Sequence, residues 1–144
     1  EGLALKINSL MRDNDIDGLT ITGGEPFDQA EALEEVIMLL ENIPKDVLVF
    51  SGYSLNDIRM DPKKASLLSK IGVLIDGAYV KELNDGKTAL RGSENQKIHF
   101  LDQEVRAKYI PYLEKGRQIQ NVVYDYRIIS IGIHKETGRV PKWQ

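Results

Sequence analysis

Leu19-Thr20-Ile21-Thr22-Gly23-Gly24-Glu25-Pro26 decides the reading of this chain. A short apolar run ends in two glycines, a carboxylate and a proline, and a strongly helical segment follows. That order spells a strand, a tight turn and a helix. Glycine tolerates positive φ and lets a ligand come close to the backbone. In α/β sheets ligands gather outside the carboxyl ends of the strands, where this turn falls. Taken alone, the segment carries two readings. In one, the glycines only make the turn, and Glu25 faces solvent near a helix start, where a carboxylate is favoured. In the other, Glu25 and neighbouring carbonyls accept the N–H donors of an amino-acid-like ammonium group.

The same grammar repeats on either side. Leu3 to Asn14 carries apolar residues at helical spacing (Leu3, Ile7, Leu10, Met11), which predicts an amphipathic helix buried on that face. Asp28 with Glu31 three residues on predicts a capping box. The stripe Ala32, Leu33, Val36, Ile37, Leu39 and Leu40 predicts a buried helix that Pro44 ends. Val47 to Phe50 and Ile71 to Ile75 are continuous apolar strands, closed by Ser51-Gly52-Tyr53 and Asp76-Gly77. Short helices fit Leu55 to Ile58 and Pro62 to Lys70 between them. Strands alternating with helices predict βαβ units and a parallel sheet, whose strand ends share one edge. Beyond a polar loop at Lys81 to Gln96, Lys97 to Leu101 reads as a strand. Asp102 to Lys115 reads as a helix limited or kinked by Pro111. Gln118 to Ile133 predicts a C-terminal hairpin turning near Asp125-Tyr126, and Lys135 to Gln144 a polar tail.

Composition sets the bounds. At 144 residues, with 42% hydrophobic and 28% charged, the chain is one ordinary globular domain by length. Its net charge is −3 and no basic block stands out, which argues against a nucleic-acid partner. No apolar run approaches the roughly 20 residues of a membrane span. Glu1-Gly2-Leu3 does not begin a signal peptide, and a cytoplasmic protein is the expectation. There is no cysteine, which excludes disulfides and any thiolate-held metal or cluster within these residues. A chain starting on Glu1 rather than methionine is expected to lack its natural N-terminus.

The candidate site residues follow from the shared edge. Taken singly, Ser51-Gly52-Tyr53 and Asp76-Gly77 read as structural punctuation after a strand, with Asp76 a loop cap; gathered with Glu25 at one sheet edge, their hydroxyl and carboxylate groups suit an ammonium or a ribose. Arg91-Gly92-Ser93-Glu94-Asn95-Gln96 reads either as a solvated turn into the next strand or as a loop offering an arginine fork to a carboxylate or a partner. His99 alternates with Ile98 and Phe100 as a strand-face residue. Neither His99 nor His134 has a second ligand at metal-binding spacing, so no metal is assigned. A phosphate-binding loop of the form GxxxxGK followed by Ser or Thr is absent.

In order along the chain, residues 18–27 (Gly-Leu-Thr-Ile-Thr-Gly-Gly-Glu-Pro-Phe), 49–53 (Val-Phe-Ser-Gly-Tyr), 73–77 (Val-Leu-Ile-Asp-Gly) and 91–96 (Arg-Gly-Ser-Glu-Asn-Gln) resemble the radical S-adenosylmethionine (AdoMet) activating enzymes. Residues 121–134 resemble the C-terminal segment of the same family. The resemblance implies a partial (βα) barrel of mostly parallel strands over residues 1–116, lacking the first strand. It also implies a C-terminal hairpin and tail over 117–144, packed on the same domain. AdoMet is expected at the open strand ends, with Gly23, Gly24, Glu25 and Pro26 at its amino group and Ser51 and Asp76 close by. Arg91, Ser93, Asn95 and Gln96 stand as a site or partner loop. The implied reaction is reductive cleavage of AdoMet at a 4Fe-4S cluster, forming a glycyl radical on a partner enzyme. An anaerobic ribonucleotide reductase is the first partner expected, a pyruvate formate-lyase the alternative, and a flavodoxin or ferredoxin the electron donor.

The chain departs from that family pattern in one respect that matters. The three-cysteine CxxxCxxC loop lies upstream of Gly-Gly-Glu-Pro in the family, and this sequence begins after that point. The cluster is therefore expected only in a full-length parent, and this chain alone is expected to be inactive in redox chemistry. The competing expectation is a cluster-free ligand-binding or protein-docking module built on the same barrel.

Overall fold

The computed structural model describes residues 2–124 and 127–132. Its centre is a four-stranded sheet in the order β1-β2-β3-β4, from Gly18–Ile21, Asp46–Phe50, Val73–Asp76 and Lys97–Phe100. β1 and β2 pair in parallel with Ile21 opposite Val49, and β2 and β3 with Phe50 opposite Ile75. β4 runs antiparallel, with His99 opposite Leu74 and Lys97 opposite Asp76. The fold is thus mixed α/β with a mainly parallel sheet. Val47, Val49, Val73, Leu74 and Ile75 are buried, which is why these stretches read as unbroken apolar runs rather than alternating ones.

Helices cover both faces. On one, α2 (Ala30–Met38), α3 (Leu55–Met60) and α4 (Pro62–Leu68) pack Ile37, Ile58 and Leu67 against Val47, Val49 and Leu74. On the other, α5 (Gln103–Lys115) packs Val105 and Tyr109 against Leu48, Val73 and Ile75. Tyr109 donates to Asp46 at 2.7 Å, and burial together with that bond pushes its phenol above the ordinary range. Pro111 lies inside α5 without ending it, which corrects the expectation of a limit there.

Local chemistry departs from the sequence reading in three further places. The expected Asp28–Glu31 capping box does not form. Glu25 instead caps a 3-10 turn at Pro26–Gln29, accepting from Phe27 N, and α2 starts at Ala30 without a side-chain cap. A capping box does form on α3, where Ser54 and Asp57 exchange hydrogen bonds. The first helix, α1 (Gly2–Asp13), buries Ala4 and Asn8, while Leu3 and Leu10 are exposed. Asn8 anchors it by donating to Leu39 O at 3.0 Å and accepting from Glu41 N at 3.0 Å, so a polar clasp sets the face. In α2 the buried stripe is narrower than expected: Ala32 and Leu39 are exposed, while Leu40 is buried as expected but lies just beyond the helix.

β5 (Gln120–Tyr124) and β6 (Arg127–Ile131) form an antiparallel hairpin as a separate two-stranded sheet. The expected turn at Asp125-Tyr126, His134 and the polar tail lie outside the described residues. Among the described residues no helix is long and apolar enough to cross a membrane.

Candidate functional site

The carboxyl ends of β1 and β2 meet at Glu25. Gly23 and Gly24 adopt φ of +91° and +54°, left-handed values that glycine reaches without strain, and this turns the chain across the sheet edge. A Cβ on either would meet nothing within 4 Å, so their outer side is open space. Pro26 then takes the first position of the 3-10 turn and is buried with Phe27, which fixes where the Glu25 backbone sits. The carboxylate is held by three donors: Ser51 Oγ at 2.8 Å and Phe27 N at 3.1 Å to Oε1, and Gly52 N at 2.7 Å to Oε2. Among the described residues no cation pairs with it. The result is an anchored, half-buried carboxylate beside an open glycine turn.

Ser51 is buried and works twice, since its Oγ also accepts from Tyr53 N at 3.1 Å. Its own N–H continues the sheet to Ile75 O at 2.9 Å. Tyr53 extends this wall. Its hydroxyl donates to Asp28 at 2.6 Å, which raises the phenol pKa, and Lys64 Nζ lies 3.7 Å from its ring centroid. A cavity of about 440 Å³ opens alongside, with Asp28, Glu31, Lys63 and Lys64 in its lining. Sequence reasoning passed over Tyr53 and Asp28 as site residues.

Asp76 is buried at the end of β3, with its carboxylate turned to other tasks. Oδ2 accepts from Leu55 N at 2.7 Å, which ties the strand end to the start of α3. Oδ1 lies 3.0 Å from His99 Nε2, a close contact without hydrogen-bond geometry, and that nitrogen is buried with no hydrogen-bond partner. Asp76 and Ser51 are therefore joined through adjacent strands, while only Ser51 touches Glu25.

The 91–96 run folds back onto the same edge. Gln96 accepts from Gly92 N at 2.8 Å and Ser93 N at 3.2 Å and donates to Gly77 O at 2.9 Å. Asn95 donates to Ala78 O at 2.8 Å, and fully buried Ser93 accepts from Val80 N at 3.1 Å. Arg91 donates to Gln96 O at 3.0 Å, while its Nε is buried without a partner. These side chains clamp the loop that follows Asp76-Gly77. Arg117 braces them from behind. Its side chain is 3% exposed, and it donates to Asn84 Oδ1 at 2.6 Å and to Arg91 O at 2.8 Å. Asp85, also within 4.0 Å of Arg117, is lowered to about 2, chiefly by the backbone N–H groups of Thr88 and Lys87.

Comparison with known proteins now adds to this geometry. The 4Fe-4S single cluster domain family matches residues 1–99. The chain is 30% identical over 89 residues to the anaerobic ribonucleoside-triphosphate reductase-activating protein of Escherichia coli, covering 58% of this chain and 56% of that protein. It is 36% identical over 87 residues to the protein of that name from Vibrio cholerae, covering 57% and 54%. For the Pasteurella multocida protein of that name, identity is 37% over 90 residues, covering 60% and 57%. The match thus spans little more than half the length of these relatives, and no solved structure matches. A 4Fe-4S cluster needs thiolate ligands. This chain has no cysteine, and among the described residues no group of three or more His, Asp or Glu is placed to hold a metal. The residues present do not fit a resident cluster. On the match across residues 1–99, the chain belongs to the 4Fe-4S single cluster domain family, and it does so without the cysteines a cluster requires.

Proposed function

We propose that this chain supplies the AdoMet-binding part of an activating enzyme for a glycyl-radical protein, an anaerobic ribonucleotide reductase first among them. One observation carries the reading: a carboxylate with no cationic partner among the described residues, fixed by three donors beside two open positive-φ glycines at the carboxyl edge of a parallel sheet. Such a group suits a ligand ammonium, because the lone pair left on Oε2 and the turn carbonyls accept N–H donors. Relatives named as reductase-activating proteins support the partner class.

In this reading the sheet belongs to a partial barrel with AdoMet at its open edge. Glu25 binds and orients the amino group. Gly23 and Gly24 leave room for the ligand to reach the backbone, and Pro26 holds the turn in place. Ser51 keeps the carboxylate aimed, and Asp76 fixes the neighbouring strand end. Bound AdoMet supplies the deoxyadenosyl group whose radical chemistry defines the enzyme class. Thiolates for any cluster have to come from outside these 144 residues, and a flavodoxin or ferredoxin is the electron donor that fits. The setting that fits is the cytoplasm.

The absence of cysteine favours a second reading, a cluster-free ligand-binding or docking module. Calorimetric titration with AdoMet separates the two. An edge missing the cluster that chelates the amino-acid end binds weakly, on the order of millimolar, whereas a self-sufficient module binds at about micromolar or tighter. No measurable binding by either the chain or a cysteine-bearing longer form would defeat the first reading.

A further inference from the structure

The groove between α3 and the start of α5 is not used by the Glu25 edge. Arg59 from the last turn of α3, His99 from β4, and Gln103 and Arg106 from α5 line a cavity of about 470 Å³. A second cavity of about 760 Å³ shares Arg59, Leu101 and Gln103 with it and adds Lys70, so the two run together. Among the described residues no carboxylate lines the first, while Asp102 lines the second. Three nearby carboxylates are already engaged: Asp57 with Ser54, Asp102 with Glu104 N, and Glu104 with Lys45.

Three cations of the groove stand apart from the ion pairs of the described residues. Arg12 and Lys63, like Lys45, each pair with a glutamate elsewhere on the surface. Among the described residues, no ion pair or side-chain hydrogen bond engages Arg59, Lys70 or Arg106. His99 also lines the groove wall, with its Nε2 buried 3.0 Å from Asp76 Oδ1. Two guanidinium groups and a lysine without an ion pair among the described residues line this groove on a chain of net charge −3. The arrangement leaves a local positive potential that an anion relieves.

We propose that this groove binds a phosphate-bearing small molecule. Arg59 and Arg106 hold the phosphate, Gln103 adds a neutral donor, and Phe100 and Leu101 take the uncharged part. A planar guanidinium matches phosphate oxygens in bidentate fashion, which a lone ammonium does not. Both cavities fall in the range of small-molecule sites, roughly 300–1,000 Å³. This inference does not depend on AdoMet binding at Glu25.

The test is an amide NMR titration of the chain at low salt with inorganic phosphate, pyrophosphate, ATP and malonate. Pyrophosphate and ATP are expected to shift the amides of Arg59, His99, Gln103 and Arg106 and to leave Gly23 and Gly24 unmoved. Arg59→Gln and Arg106→Gln should each weaken that binding about tenfold, the size of one lost charge-assisted pair, with the melting temperature unchanged. No shift at these amides up to about 10 mM pyrophosphate, or undiminished binding by the double variant, overturns the proposal. Tighter binding of malonate than of pyrophosphate overturns the phosphate assignment.

Discussion

Ser51 Oγ donates to Glu25 Oε1 at 2.8 Å, joining the end of β2 to the turn that follows β1. Two strand ends that lie 26 residues apart in sequence thereby become one wall. Removing the hydroxyl also leaves Tyr53 N without its acceptor. Ser51→Ala should therefore cost about 1–2 kcal/mol in urea denaturation. In a double-mutant cycle with Glu25→Gln the coupling should be about 1 kcal/mol, and additivity within about 0.3 kcal/mol would contradict the link.

Arg117 and Arg12 make a controlled contrast. Arg12 grips both oxygens of Glu41 at 2.9 and 3.0 Å, yet both side chains are more than half exposed. Arg12→Gln should change stability by no more than about 0.5 kcal/mol. The Arg117 side chain is buried, and its fork serves acceptors at three points of the 84–91 loop. Arg117→Lys cannot reproduce that fork and should cost about 2–4 kcal/mol. Equal urea midpoints for the two variants would show that the loop does not depend on this brace.

Asp85 gives the loop an acid limit. Its carboxyl is lowered from 3.8 to about 2 because the native loop offers it the N–H groups of Thr88 and Lys87. A depressed native pKa contributes stability that is present above the unfolded value and lost as pH falls through the folded one. The Asp85 contribution is thus whole above about pH 4 and fades towards about pH 2. Thermal melts of Asp85→Asn across that window should fall less steeply with acid than those of the native chain. Parallel curves would contradict the assignment.

Local patterns made much of this legible. Continuous apolar runs mark strands buried on both faces, and the glycines after them mark the sheet edge where Glu25 and Ser51 meet. Non-local partners stayed hidden. Asp28 has the spacing of a helix cap, but Tyr53, 25 residues on, takes its carboxylate. Arg117 looks like an ordinary basic residue after a helix, because its acceptors lie 25 to 33 residues upstream. Ser54-x-x-Asp57 could have been read from sequence as a capping box, since both partners are local. The Leu3 and Leu10 face of α1 misled because Asn8, a polar residue, sets the contact.

The most direct test of the AdoMet reading is an amide NMR titration that follows Gly23, Gly24 and Gly52, the last of which donates to Glu25 Oε2 at 2.7 Å. AdoMet should shift these three amides together in a weak, saturable manner, and Glu25→Gln should abolish the shifts while preserving the rest of the spectrum. AdoMet leaving all three unmoved, or moving them equally in Glu25→Gln, would contradict the account.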